Sequence, residues 1–130
     1  MSATILHVED NVSNRKIVRD LLGSRGYRVV EAWDGEEALA AAERERPDLI
    51  LMDIQLPRVS GLEATRRIKA REDLRHIPVV AVTSFALSGD DKQAFAAGCD
   101  AYVAKPYNPR ELLRIVENLL GGKALQGGRS

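Results

Sequence analysis

The chain has 130 residues, 19 basic and 19 acidic, with 45% hydrophobic and 29% charged side chains, which fits one ordinary globular domain and is too little for two. A formal net charge of zero gives no electrostatic basis for nucleic-acid or membrane binding, and no stretch is long enough to span a bilayer. The start, MSATILHVEDN, lacks the basic-then-apolar pattern of a secretory leader, and the single Cys99 cannot form an internal disulfide, so a cytoplasmic setting is expected.

Short apolar runs alternate with longer periodic ones. Ile5-Leu6-His7-Val8 predicts a strand that stops at Glu9. From Asn11 to Ser24 the apolar residues pair at helical spacing, Ile17 with Leu21 and Val18 with Leu22, and Gly26 closes the segment. Arg28-Val29-Val30-Glu31-Ala32 predicts a second strand, and Asp34 caps a helix carrying Ala38, Leu39 and Ala42. Leu49-Ile50-Leu51-Met52 is continuously apolar and ends at Asp53. A helix over Leu62 to Arg71, a strand at Val79-Val80-Ala81-Val82 and a helix from Asp90 to Ala97 come next. Ala101-Tyr102-Val103-Ala104 is the fifth strand. The last helix carries Leu112, Ile115, Val116 and Leu119 on one stripe. Residues 1–121 form the expected domain, and the glycine-rich 122–130 is expected as a flexible tail.

Five strands alternating with five helices predict an α/β fold, a parallel sheet covered on both faces. Unbroken apolar runs mark central strands, and the polar or Ala-rich second and fifth runs mark edges, which fits the doubly wound order 2-1-3-4-5. Ligands of such sheets bind beyond the carboxyl ends of the strands where the winding reverses. Those ends carry Glu9-Asp10, Asp53, Thr83-Ser84 and Lys105. A single acid after a strand is most simply a helix cap. A cluster is different, because two carboxylates ~4 Å apart repel by about 4 kcal/mol at an effective dielectric near 20. Hard oxygens without His or Cys suit Mg²⁺, with Mn²⁺ as an alternative, taken by Asp10 and Asp53 directly and by Glu9 through water. Acids after the first strand would repel a bare phosphate, whereas a metal-bound Asp53 that itself becomes phosphorylated fits the charges, with Lys105 offsetting charge on the transferring group.

The segments ILHVEDN, PDLILMDIQLPRVSGLE, VVAVTSFA and GCDAYVAKPY, in this order and spacing, resemble the response-regulator receiver family from about Thr4 to Leu120. The resemblance implies a flavodoxin-like (βα)5 fold and a phosphoacceptor signalling protein rather than an enzyme. It implies that Asp53 takes a phosphoryl group from a sensor histidine kinase or histidine phosphotransferase. Glu9, Asp10 and Asp53 match the family's acidic triad, the Gln55 carbonyl its further Mg²⁺ ligand, Thr83 and Lys105 its phosphoryl contacts, and Lys105-Pro106 its cis bond. Thr83 and Tyr102 match its switch pair, which repacks the surface of the fourth helix, fifth strand and fifth helix to alter binding of a downstream protein. EDNVSN and IQLPRVSGLEATRRIK look most like single-domain or hybrid-kinase receivers of phosphorelays. The family's kinase-docking surface falls on Asn14, Ile17, Val18, Leu21, Pro106, Tyr107 and Asn108. The fourth and fifth helices lack the full charged set of a DNA-binding regulator's dimer face, so a monomer or weak homodimer is expected.

Two competing functions have weaker support. An Asp-nucleophile phosphatase of the haloacid-dehalogenase type would place a second Asp where Gln55 stands and its nucleophile on the first strand. An unphosphorylated pseudo-receiver would lack part of the acidic set, which is complete here. His7 is expected as a neutral, hydrogen-bonded core histidine, His76 as surface, Cys99 as a small buried hydrophobe, and the Arg66, Arg67 and Arg71 cluster as a solvated helix face.

Overall fold

Apolar runs four residues long, each ending in a polar side chain, build the centre of this molecule. The structure, a computed structural model, describes residues 3–56, 59–83, 90–105 and 108–128. In chain order it contains β1 (Thr4–Val8), α1 (Val12–Gly23), β2 (Arg28–Ala32), α2 (Gly35–Glu45), β3 (Leu49–Asp53), α3 (Gly61–Ala70), β4 (Val79–Thr83), α4 (Asp90–Ala97), β5 (Ala101–Ala104) and α5 (Pro109–Gly128). The strands form one parallel sheet in the order β2-β1-β3-β4-β5, as the run pattern predicts. Every residue of β3 and of β4 is buried, while β2 and β5 keep exposed or half-buried positions at the edges.

Side chains alternate across the strands and divide the core into two layers. Leu6, Val8, Ile50, Met52, Val79 and Ala81 pack under α2, α3 and α4. Ile5, Leu49, Leu51, Val80 and Val103 pack under α1 and α5. Each fully buried Leu or Ile adds about 2 kcal/mol of hydrophobic stabilisation. No helix among the described residues is long and apolar enough to cross a membrane.

Helix starts are fixed by short polar caps. Asn11 Oδ1 accepts from the Asn14 N–H at 3.0 Å, Asp34 Oδ1 from Glu37 at 2.8 Å, and Ser60 Oγ from Glu63 at 3.2 Å. Each such cap is worth about 1 kcal/mol. Gly26 at φ 86° and Gly98 at φ 109° carry the left-handed turns after α1 and α4.

Helix α5 continues to Gly128, through Gly121-Gly122, where the sequence reading places the start of a tail. Two glycines cost about 1 kcal/mol each but leave every N–H in place, and Lys123-Ala124-Leu125 are good helix formers. Without a proline, nothing local forces the helix to stop there.

Candidate functional site

The strand register sets the ends of β1, β3, β4 and β5 side by side. Val8 pairs with Met52, Asp53 with Val82, and Thr83 with Ala104. The residues at or just beyond these positions are Glu9, Asp10, Asp53, Thr83 and Lys105, so the polar set read from the sequence converges on one edge.

Asp53 is 3% exposed and both of its oxygens are held. Oδ1 accepts from the Gln55 backbone N–H at 2.9 Å, and Oδ2 accepts from Lys105 Nζ at 3.1 Å. The same ammonium lies 2.6 Å from Glu9 Oε1. Lys105 is placed by its own backbone, whose N–H donates to the Thr83 carbonyl at 2.7 Å. Gly61, at the start of α3, lets that helix close on the site, because a Cβ there would collide with the Asp53 carbonyl.

Glu9 is 1% exposed, and its backbone is tied down from two sides. Its N–H donates to the Ala32 carbonyl at 2.9 Å, and its own carbonyl accepts from Arg15 Nη1 at 2.8 Å. Burial pushes the Glu9 carboxyl above the usual range, the hydrogen bond from Lys105 opposes this, and the nearby charge of Asp53 adds to it. Burial pulls the Lys105 ammonium down, but its hydrogen bonds to Glu9 and Asp53 outweigh that and leave its pKa raised. The two carboxylate partners therefore favour the charged form of Lys105.

Glu9, Asp10 and Asp53 each offer an oxygen within 4.8 Å of the others. Three carboxylates face one ammonium, leaving an excess of negative charge. An all-oxygen, over-charged cluster with one exposed member, Asp10, is the donor set a small hard dication takes up, so these residues fit Mg²⁺.

Thr83 is fully buried at the end of β4, and its Oγ1 accepts from Gln55 Nε2 at 2.6 Å. Tyr102 pairs with Ala81 across β4 and β5 and is half-buried against the layer under α2–α4. Ser84 and Phe85 lie outside the described residues, as do Pro106, Tyr107 and the expected cis Lys105-Pro106 bond.

The α1 members of the expected docking set do not all face solvent. Ile17 is 56% exposed, but Val18 is 0% exposed among Leu22, Leu51 and Val116. Val18 is therefore a core residue and is withdrawn from that set: neighbouring helix positions point about 100° apart, so only one of the two pairs can face solvent. Leu21 is partly buried against the same layer, and Asn14 is partly exposed. Asn108 is exposed and caps α5, its Oδ1 accepting from Arg110 and Glu111 at 3.0 and 3.3 Å. The sequence carries the signal for that cap, Asn-Pro-Arg-Glu, with Pro at the first helical position. No pattern announces the contact of Arg15 with the Glu9 carbonyl.

His7 is 1% exposed, and burial, with lesser contributions from Lys105 and Arg15, lowers its pKa to about 3. It is neutral as expected, but its Nδ1 has no hydrogen-bond partner among the described residues. His76 is exposed, and Arg66, Arg67 and Arg71 face solvent in ion pairs with Glu63, Glu43 and Asp73. Cys99 is buried, its thiol pushed up to about 11 by desolvation.

Fold and site together define a doubly wound α/β domain with an acidic cluster, able to hold a cation, at the point where its winding reverses. The family model of the response regulator receiver domain matches residues 5–117, and the chain belongs to that family. The polar-differentiation response regulator DivK of Brucella anthropi is 47% identical over 121 residues, covering 93% of this chain and 98% of that protein. The receiver domain of a Pseudomonas aeruginosa sensor histidine kinase, solved with a magnesium ion coordinated in its active-site cleft, is 44% identical with a TM-score of 0.87, covering 93% of this chain and 99% of that one. The chemotaxis protein CheY4 of Vibrio cholerae, 31% identical, has a TM-score of 0.87 and covers 92% of this chain and 100% of its own. The chain is thus a receiver domain of two-component signalling, a phosphoacceptor class that works with histidine kinases and histidine phosphotransferases.

Proposed function

We propose that Asp53 accepts a phosphoryl group from a phosphohistidine of a sensor histidine kinase or histidine phosphotransferase, and that residues 1–121 act as the receiver. The observation that carries this reading is the state of Asp53: buried, with one oxygen fixed by the Gln55 N–H and the other by Lys105, beside two further carboxylates. In the transfer an Asp53 oxygen bonds to phosphorus as the N–P bond breaks. The electron pair returns to the imidazole nitrogen, which takes up a proton. Lys105 stays within reach to meet charge on the phosphoryl oxygens, and the Gln55 N–H keeps the carboxylate oriented. Glu9, Asp10, Asp53 and the Gln55 carbonyl would hold Mg²⁺, or Mn²⁺, which when bound neutralises charge on the phosphoryl group.

Thr83 and Tyr102 form the responding pair. Thr83 meets the phosphoryl group, Tyr102 repacks, and the surface of α4, β5 and α5 changes its affinity for a downstream protein. The half-buried seat of Tyr102, one strand over from Thr83, supports this. Exposed Ile17, partly exposed Asn14 and Leu21, with Pro106, Tyr107 and Asn108, make the docking side for the kinase. The protein acts in the cytoplasm as a monomer or weak homodimer, without nucleic acid or membrane, in keeping with its zero formal charge.

Acetyl phosphate with Mg²⁺ tests the reading. Wild type is expected to gain acid-stable, alkali-labile phosphate and Asp53→Asn to gain none. An unlabelled wild type defeats the reading, and equal labelling of Asp53→Asn moves the site elsewhere.

A further inference from the structure

One residue touches both the carboxylate that receives and the hydroxyl that responds. The Gln55 N–H is 2.9 Å from Asp53 Oδ1, and its side-chain Nε2 is 2.6 Å from Thr83 Oγ1. The resemblance implies two parts for Gln55, a carbonyl toward the metal and a side chain that influences how an attacking water reaches the phosphoryl group, and neither is a hold on Thr83. We propose that the Gln55 side chain is a latch that holds Thr83 in its resting position and so sets the balance between the resting and the responding arrangement.

The latch rests on the reading of Asp53 and Thr83 above. An amide NH₂ only donates, so this bond fixes the position of the hydroxyl oxygen. Thr83 is 0% exposed, and in such a place a hydrogen bond is stronger than in water and more costly to leave unmade. Thr83 sits at the end of a fully buried strand, next to the strand that ends in Asp53. The latch is anchored where it must yield: Gln55 lies two residues past Asp53, on the loop whose N–H bonds the acceptor carboxylate. A charged group formed on Asp53 disturbs that anchor and competes for the same hydroxyl. A latch is therefore most effective before phosphorylation, and removing it shifts the equilibrium with no phosphoryl group present.

The test is made on the metal-free protein by NMR. Wild type without and with Mg²⁺ and beryllofluoride supplies the two end points at the Thr83 methyl and the Tyr102 ring. In Gln55→Met, which keeps length but not the donor, both signals are expected to move along the line between those end points before any addition. The responding population should rise about fivefold, the effect of one net hydrogen bond. In a Thr83→Val background Gln55→Met should leave Tyr102 unmoved, which a merely structural role for Gln55 would not produce. If wild type responds to beryllofluoride and Gln55→Met leaves the resting signals in place, or moves them away from the responding end, the latch is wrong and the phosphoacceptor reading stands. If wild type itself shows no response, both fall.

Discussion

Asp34 lies just past the end of β2 and Asp53 is the last residue of β3, at the same edge of the sheet, and both are almost fully buried, at 7% and 3% exposure. Asp34 closes a helix: its Oδ1 accepts from the Glu37 N–H, the usual arrangement for an acid just ahead of α2. Asp53 closes none, because Ser60 caps the helix that follows it, as Asn11 caps the helix after Glu9 and Asp10. Where a neutral side chain does the capping, the acids are left to face one another and Lys105. Asp34 therefore stabilises the fold, whereas Glu9, Asp10 and Asp53 repel one another, and Lys105 meets two of them, Glu9 and Asp53. The residue type is the same, and the division of labour is set by whether a cap is supplied a few residues further on.

The largest expected effect on the acidic side comes from the lysine. Lys105→Met should slow phosphorylation by acetyl phosphate about 100-fold, the scale for losing one preorganised charge at a transferring group. It should also tighten Mg²⁺ binding, because the competing ammonium is gone. Calorimetric titration with Mg²⁺ checks the second half, and weaker binding would mean that Lys105 assembles the cluster rather than competing in it. Asp10→Asn should weaken Mg²⁺ at least about tenfold and leave the metal-free melting temperature unchanged or higher, since one mutual repulsion is removed. Asp34→Ala should do the reverse. It should cost about 1 kcal/mol, a fall of a few degrees in melting temperature, with phosphorylation within twofold of wild type.

Cys99 supplies the finest separation. Its thiol is pushed up to about 11, so at pH 8 the folded chain should carry about 100-fold less thiolate than an ordinary cysteine of reference pKa 9. The sign follows from that raised value: the unfolded thiol ionises from about pH 9, the folded one not until about 11, so stability falls as pH rises through that window. Cys99 packs in the same layer as Ala38, Ala41 and Ala42 of α2. Asp34→Ala should therefore speed its labelling by a thiol reagent about fivefold through local opening, while Asp53→Asn should leave it unchanged. Equal acceleration in both variants would erase the distinction between the two acids.

The order of the strands was legible because burial on both faces leaves a continuous apolar run and burial on one face does not. The site was legible because each strand ends where its run meets a polar residue, and the sheet brings those ends level. What escaped depends on facing and on contacts between side chains. Ile17 and Val18 are equally apolar, and only the packing against Leu51 and Val116 separates the exposed one from the core one. The bond from Gln55 to Thr83 joins residues 28 apart, and that from Arg15 to the Glu9 carbonyl spans six, neither at a spacing that carries meaning in a sequence. Helix α5 runs past Gly121-Gly122 because glycine weakens a helix without ending it.

Locating the phosphoryl group tests the central claim most directly. Borohydride reduction of the protein after acetyl phosphate treatment converts an aspartyl phosphate to homoserine, and peptide mass spectrometry then reads the position. Homoserine at position 53 and at no other acid is the expected result. Homoserine at Asp10 or Asp34, or none at all from a folded, Mg²⁺-loaded protein, would contradict it.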